Sequence, residues 1–245
     1  MIHLPRKKPR WLFFSFIFRS RWIPVHFLGL RRTLKILLDL DKAIVFLANS
    51  LAAKYNQVYD IEILKNEVET IASYFPKSIG VIDLGCGDGV QSFLLGELGY
   101  KVIGVDYSET SIFNASKSST PNCRFICADI LSFLNNSSAS FESYELVFMS
   151  HILEHIDDPI SLLTLLLVNF SFIYVEVPDF QSCPLNSTRL RVGSRLYSDD
   201  DHVWEFDLNS LLKLMYESGW EHQYSFVHDG VISYYGHSFQ GASKN

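Results

Sequence analysis

The chain has 245 residues, of which 48% are hydrophobic and 20% are charged. This composition excludes intrinsic disorder as a description of the whole protein, and the length suits one α/β domain with an extension. The net charge of −6 is unevenly spread, because residues 1–42 hold ten lysines and arginines against two acidic residues. The rest of the chain holds eleven basic and 25 acidic residues, and such an acidic body argues against nucleic acid as a substrate.

Cysteine usage and targeting signals favour a cytoplasmic protein. The four cysteines form no C-x-x-C pair and have no zinc-site spacing, which is typical of reduced thiols. The apolar run Trp11–Phe18 is far shorter than the ~20 residues that span a membrane. Arginine follows this run directly, where a secretory signal would have a cleavage site of small residues.

The first predicted elements are helices. Apolar residues recur at helical spacing over Thr33–Asn56 and again over Asp60–Phe75, where Pro76 ends the pattern. We therefore expect a basic aromatic arm and a helical extension over residues 1–76, followed by a second domain over residues 77–245.

From Ile79 onward, short β-branched runs alternate with helical segments. The predicted strands are Ile79–Leu84, Lys101–Asp106, Arg124–Cys127, Glu145–Met149, Phe172–Val177, Gln223–Val227 and Val231–His237. The predicted helices are Gly89–Leu98, Glu109–Lys117, Pro159–Val168 and Leu208–Ser218. Because apolar strands that alternate with helices form parallel sheets covered on both faces, the pattern predicts an α/β, doubly wound, Rossmann-like sheet.

A glycine-rich loop follows the first predicted strand and opens a helix. Glycine permits positive φ and close approach of a ligand to the backbone, and the helix N-terminus offers free N–H groups. The loop, Asp83-Leu84-Gly85-Cys86-Gly87-Asp88-Gly89, matches neither a P-loop nor the dinucleotide fingerprint, whose last glycine is replaced by Val90. Asp83 would repel phosphates and suits a ligand that carries a cationic group.

Two further acidic residues follow the next two predicted strands. Asp106 lies 21 residues after Gly85, where doubly wound folds place a carboxylate that binds ribose hydroxyls. Asp129 follows the third strand. Together with the glycine loop, these acids would surround one nucleoside ligand at the carboxyl edge of the sheet. The alternative is that each acid caps a helix or a loop.

This stretch resembles the class I S-adenosylmethionine-dependent methyltransferases, whose first motif is D-x-G-x-G-x-G. The resemblance covers about residues 79–237 and implies a seven-stranded sheet with its last strand antiparallel. It implies S-adenosyl-L-methionine as cofactor, with a role for each motif residue: the methionine moiety at Gly85, Gly87 and Gly89 with Asp83 nearby, the ribose at Asp106 and the adenine at Asp129. The usual Pro-Gly-Gly turn before the fifth strand is replaced by residues 168–171.

The fourth predicted strand is followed by a loop rich in histidine and acidic residues. Literally, His151–His155 matches the H-x-x-E-H motif of zinc proteases. A zinc site would need a sustained helix and a distant third ligand, whereas Asp157-Asp158-Pro159 favours a turn and a new helix, so we predict no metal. The loop resembles the L-E-H-x-x-D-P segment of a small-molecule and glycan methyltransferase branch, which implies that His155 lies above the transferred methyl group. The alternative is that His155 only hydrogen-bonds a neighbouring loop.

A second loop is similar to the same branch. Residues 202–206 match its H-x-W-x-F pattern, which makes His202 and Trp204 candidates for the acceptor site. Glu176 and Asp179 are expected on the substrate side, because they flank Pro178 after the fifth strand. The candidate general bases are His155, His202 and His151, and the last of these follows the strand so closely that it could instead shape the cofactor site.

The N-terminal arm combines cations with aromatic rings. Residues 1–32 contain eight lysines and arginines interleaved with seven Trp or Phe residues, a combination typical of peripheral membrane anchors. The alternatives are an arm packed on the domain, an arm that wraps a partner subunit, or an artefactual upstream start. The sequence does not define the oligomeric state.

These observations predict methyl transfer from S-adenosylmethionine to a small polar acceptor, most simply an oxygen of a sugar or glycan-related molecule. Transfer to nitrogen or carbon stays open. A non-catalytic nucleoside-binding scaffold of the same fold is the alternative from another functional class. An NAD-dependent oxidoreductase is disfavoured by Val90 and Asp83.

Overall fold

The computed structural model describes residues 22–55, 65, 68–69, 71–117, 120–137, 141, 143–194, 196 and 201–239. Most of the basic arm, much of the predicted helix Asp60–Phe75, and Asp199 and Asp200 lie outside these ranges. By compactness the chain divides into a first unit of residues 1–52 and 185–197 and a second unit of residues 53–184 and 198–245. The domain boundary expected at residue 76 stays a prediction.

Seven strands alternate with helices over the described ranges. The strands are β1 Gly80–Leu84, β2 Lys101–Asp106, β3 Cys123–Cys127, β4 Tyr144–Ser150, β5 Phe172–Pro178, β6 Trp220–His228 and β7 Val231–Ser238. In the described ranges the longer helices are α1 Trp22–Leu28, α2 Leu30–Tyr55, α3 Val90–Glu97, α4 Glu109–Lys117, α5 Ile130–Ser137, α6 Pro159–Leu166, α7 Asn186–Val192 and α8 Leu208–Glu217. Further helical residues lie between positions 65 and 72. None of these described helices is both long enough and apolar enough to cross a membrane.

The strands form one sheet in the order β3-β2-β1-β4-β5-β7-β6. Strands β1 to β5 pair in parallel, whereas β7 pairs antiparallel with both β5 and β6. The predicted doubly wound fold, with its antiparallel last strand, is therefore confirmed.

Apolar residues cover both faces of the sheet because successive side chains of a strand point to opposite faces. In β1, Ile82 and Leu84 pack with residues of α6 and α8, while Val81 packs on the other side with Leu94 and Leu95 of α3. All of these side chains are buried. Strands buried on both faces hold the sheet rigid, so the loops at its carboxyl edge start from fixed positions.

The first unit has a polar centre of its own. Arg189 of α7 is fully buried, and its guanidinium donates to the Leu38 carbonyl (2.7 Å) and to Asp41 Oδ2 (2.6 Å) of α2. The Ser194 hydroxyl donates to Asp39 Oδ1 at 2.6 Å. A buried guanidinium needs such acceptors, because its charge is costly without them.

Candidate functional site

The glycine loop runs from the end of β1 to the start of α3 through three residues with positive φ. Gly85, Gly87 and Gly89 have φ of 76°, 52° and 78°, a region that L-residues with side chains avoid. The amides of Gly85 and Cys86 both donate to the Val105 carbonyl of β2. The loop is therefore fixed to the neighbouring strand.

The three glycines differ in what surrounds them. A Cβ at Gly85 would collide with the side chain of Ile152, and one at Gly89 would come within 2.7–2.8 Å of Ala115 and Phe125. A Cβ at Gly87 would meet nothing within 4 Å. Gly85 and Gly89 thus permit close packing, whereas Gly87 presents its backbone to open space that a ligand could enter.

Asp106 ties this loop to the end of β2. It is buried, with one carboxylate oxygen accepting from the Gly87 amide (3.0 Å) and the other from the Ser108 amide (2.8 Å). Each oxygen has a second lone pair for a further donor. This placement is compatible with the predicted contact to a ribose.

Asp83 is buried beneath the loop. Its carboxylate accepts a hydrogen bond from the Ser92 hydroxyl of α3. Burial raises its pKa to about 7; the hydrogen bond from Ser92 lowers it, and the negative charges of Asp106 and Glu176 raise it further. That Asp83 lies near a cationic ligand stays a prediction. A nearby positive charge would stabilise the ionised form of this buried carboxylate.

Glu176 lies in β5 at the centre of a hydrogen-bond network. Its carboxylate accepts from the hydroxyls of Ser150 and Tyr174, both at 2.7 Å. Gln91 of α3 donates to Ser150 at 3.3 Å, so the network joins the glycine-loop helix to β4 and β5. Glu176 itself is buried, and its assignment to the acceptor side remains a prediction. Sequence reasoning missed the roles of Ser150, Tyr174 and Gln91, because no motif marks them.

Two of the predicted acids cap local structure. Asp129 is exposed and accepts from the Ser132 amide at the start of α5 (3.0 Å). Asp179 accepts from the Gln181 amide (2.9 Å) and caps a 3-10 turn over Phe180–Ser182. The capping alternative therefore accounts for the contacts these two residues make, and their assignments to adenine and acceptor remain predictions.

The loop after β4 packs against the glycine loop through Ile152 and Gly85. It forms a 3-10 turn over Leu153–His155 rather than a sustained helix, and Asp158 caps α6 with Pro159 at its first turn. His151 is held at φ 55° with its amide donating to the Glu176 carbonyl. The H-x-x-E-H segment therefore lacks the helix that a zinc protease motif requires.

His155 and His202 come from different loops and meet edge to face. Their ring centroids lie 4.7 Å apart at an interplanar angle of 88°. The backbone supports this meeting, because the amides of Val203 and Trp204 both donate to the Glu154 carbonyl. Each histidine also faces a carboxylate across 3.4–3.5 Å, Asp201 for His155 and Glu205 for His202.

Glu154 lies close to the two histidines. One ligand atom from each of Glu154, His155 and His202 lies within 4.8 Å of the others, so together they could hold a metal ion. Trp204 borders the same loop pair: its indole N–H donates to the Ile156 carbonyl at 3.0 Å, and 46% of the residue is exposed. Two of the three predicted bases thus lie together beside a partly exposed aromatic ring.

The arrangement combines an open backbone loop and a carboxylate with a histidine pair, all at or beside the carboxyl edge of one sheet. The loop and Asp106 offer donors and acceptors to a nucleoside. The histidines offer imidazole nitrogens, the side-chain groups that most often serve as general bases. Such an edge can bind two molecules side by side and help a group to pass between them.

Comparison with known proteins assigns the chain to a family. A family profile described as "Methyltransferase domain" matches residues 55–224, more than half of the chain. A ubiquinone biosynthesis O-methyltransferase of Hydrogenovibrio crunogenus is 29% identical over 83 residues. That match spans 34% of this chain and 34% of the relative, so about two thirds of the relative's length is not covered.

Solved structures share the fold at low sequence identity. The magnesium protoporphyrin IX methyltransferase of Synechocystis PCC 6803, solved with bound SAH, has a TM-score of 0.58 at 16% identity, over 76% of this chain and 87% of its own. A plantazolicin methyltransferase, solved with a substrate analogue and SAH, has a TM-score of 0.54 at 16% identity, over 85% of this chain and 99% of its own.

Proposed function

Because the chain belongs to the methyltransferase domain family, we propose that it transfers the methyl group of S-adenosylmethionine to an oxygen of a small polar acceptor. The observation that carries the proposal is the open space at Gly87 beside Asp106, at the edge where the His155–His202 pair also lies. This matches the resemblance that the sequence motifs indicated.

The residues present fit the cofactor. Gly87 can approach it without a side chain in the way, and Asp106 has lone pairs left for the two ribose hydroxyls. The buried carboxylate of Asp83 makes the loop favourable to positive charge. When bound, S-adenosylmethionine supplies an electrophilic methyl group on a sulfonium sulfur.

The chain's own contribution is to orient the acceptor and to receive its proton. As the new carbon–oxygen bond forms, the sulfur–methyl bond breaks and sulfur keeps the electron pair, which leaves S-adenosylhomocysteine. The hydroxyl proton of the acceptor goes to His155 or His202. An imidazole suits this step because its ordinary pKa lies near neutrality.

We further propose that the acceptor is a sugar or a glycan-related molecule. Trp204 is 46% exposed and offers an aromatic ring on which a sugar could stack, and the carboxylates of Asp201 and Glu205, which face His155 and His202, could accept from sugar hydroxyls. Transfer to oxygen also agrees with the relative from Hydrogenovibrio crunogenus, which is an O-methyltransferase.

The test is transfer of a labelled methyl group to a panel of free monosaccharides and nucleotide sugars, followed by single-turnover rates with the accepted compound. His155→Ala or His202→Ala should lower the rate roughly 10²–10⁴-fold, the usual contribution of a general base. Binding of S-adenosylhomocysteine should stay unchanged. His222→Ala is the control, because that exposed ring bonds the hydroxyl of Ser225 in its own strand, β6. Wild-type rates in both site variants from pH 6 to 9 would place the base elsewhere.

The N-terminal arm is proposed to contact a membrane surface. Residues 1–32 hold eight lysines and arginines and no acidic residue, and the apolar residues of the part that the structure describes, Trp22, Ile23, Phe27, Leu28 and Leu30, are exposed. Cations and exposed rings suit an anionic lipid surface. Deletion of residues 1–32 should leave a folded, cofactor-binding protein that no longer pellets with anionic vesicles. Equal pelleting of the full and truncated chains would contradict this assignment.

A further inference from the structure

Glu154 is a buried carboxylate without a hydrogen-bond donor. The residue is 1% exposed, and among the described residues neither of its carboxylate oxygens has a hydrogen-bond partner. Its nearest ionisable neighbour is the Nδ1 atom of His151 at 3.4 Å, which is longer than an N–H···O hydrogen bond. A buried carboxylate left in this state is costly, because it has lost water and gained no partner. A bound cation would offset this cost.

The same place holds two imidazoles with unused ring nitrogens. In the described part of the chain, the Nδ1 atoms of His155 and His202 are buried, have no hydrogen-bond partner and face carboxylates, so the Nε2 atoms are the ones left to bind a metal ion. With Glu154, each histidine offers one ligand atom, and all three atoms lie within 4.8 Å of one another. Ligands of a tetrahedral zinc ion lie about 3.4 Å apart, given metal–ligand bonds of about 2.1 Å. Side-chain movements of about 1 Å would close the site to that spacing.

From these contacts we propose that Glu154, His155 and His202 form a binding site for a divalent transition-metal ion, with Zn²⁺ as the ion that fits best. Two imidazoles and one carboxylate form the donor set of a zinc site that keeps one position open. Mg²⁺ and Ca²⁺ prefer sites made of oxygen atoms, so the two histidines disfavour them.

The surrounding carboxylates match the outer layer of such sites. Asp201 Oδ2 lies 3.4 Å from Nδ1 of His155, and Glu205 Oε1 lies 3.5 Å from Nδ1 of His202. A histidine that binds a metal through one ring nitrogen commonly donates to a carboxylate through the other, which fixes the ring. The chain thus supplies both the ligands and carboxylates that could orient them.

The site deepens the proposed function and, for its role in methyl transfer, rests on it. An acceptor hydroxyl at the open position of the metal would lose its proton more readily, because a bound cation lowers the pKa of a coordinated hydroxyl. The two histidines would then act as ligands, and the same His→Ala losses of rate would follow from loss of the ion. Metal binding itself does not depend on the identity of the acceptor.

The experiment is a Zn²⁺ titration of the full chain after treatment with a chelator, by calorimetry, with Co²⁺ spectra to identify the ligands. We expect one ion per chain and no sulfur-to-metal charge-transfer band, although the chain has four free cysteines. His155→Ala and His202→Ala should weaken binding about 100-fold or more. Glu205→Gln, in the outer layer, should weaken it about 10–100-fold. His222→Ala should bind as the wild type does.

Two results would overturn the proposal: no bound equivalent, or an equivalent that His155→Ala and His202→Ala both keep. The His155 side chain is 29% exposed, so His155→Ala carries less folding risk than Glu154→Gln, whereas the His202 side chain is 6% exposed and His202→Ala needs a check that the variant folds. S-adenosylhomocysteine binding is measured on the same samples. A chain that binds S-adenosylhomocysteine but not Zn²⁺ would disprove the metal site and leave the proposed function standing. A chain that binds Zn²⁺ but not S-adenosylhomocysteine would support the metal site and contradict the proposed function.

Discussion

Asp83 gives the sharpest prediction, because its carboxyl group has a pKa of about 7 and so loses its proton close to neutral pH. The side chain is buried, and burial is the largest cause that raises its pKa from 3.8 to about 7. We consider the substitution Asp83→Asn, whose amide oxygen can still accept the hydroxyl of Ser92. The variant keeps the shape and the hydrogen bond and removes only the titration.

The sign follows from where the proton is held. Between about pH 4 and pH 7 the native Asp83 keeps a proton that the unfolded chain has released, so the free energy of unfolding falls as the pH rises. The contribution is complete below the unfolded pKa of 3.8 and is lost as the pH passes 7. A shift of this size corresponds to at most about 4 kcal/mol. Asp83→Asn lacks the titrating group, so its stability relative to wild type should increase by up to that amount across this window.

Denaturant unfolding at intervals between pH 4 and pH 8, on wild type and variant, measures this difference. Groups that do not interact with Asp83 titrate equally in both proteins and cancel in the difference. Parallel stability curves would refute the argument, since they would mean that Asp83 has the same pKa in the folded and unfolded chains.

Further predictions concern the cofactor edge. Asp106→Ala should weaken binding of S-adenosylmethionine by about 1.5–3 kcal/mol in calorimetry, the range of charge-assisted hydrogen bonds, and unchanged affinity in a folded variant would remove Asp106 from the site. Gly89→Ala should lower the melting temperature more than Gly87→Ala, because its Cβ would press on Ala115 and Phe125. Gly87→Ala should mainly weaken cofactor binding, because its Cβ would occupy the open space, and equal affinities for the two variants would contradict the difference drawn between these glycines.

The sheet was predictable from local pattern. Its strands are short apolar runs between glycine or polar segments, and their predicted and observed bounds differ by three residues at most, at the start of β6. Helix α5 was not predicted although Phe133 and Leu134 follow Ile130 at helical spacing, because its eight residues give too short a pattern to stand out. Helix α7 was missed for another reason: it contains Arg189, a charged residue that is buried, and a charge in a pattern normally indicates an exposed face.

The site was predictable only where a sequence pattern is typical of one structural role. Three glycines at a strand-to-helix turn, followed by an acid at the end of the next strand, are typical of nucleoside binding in such a sheet, and the glycine loop takes the expected conformation. Asp129 and Asp179 were harder, because an acid before a helix serves equally as a cap. The meeting of His155 with Glu154 and His202 depends on two loops about 47 residues apart in sequence, and no local pattern encodes that contact.

Electrostatics at the carboxyl edge of the sheet favour one class of ligand over another. Asp83, Asp106 and Glu176 are buried acids near one another, and their charges contribute to the raised pKa of Asp83. Burial raises the pKa of the Cys86 thiol, and the charges of Asp83 and Asp106 raise it further. A ligand that brings phosphates to this loop would add repulsion, whereas a sulfonium and an ammonium would be attracted. The same glycine-loop geometry that can bind a dinucleotide is therefore biased here toward a cationic nucleoside, which supports S-adenosylmethionine independently of any sequence motif.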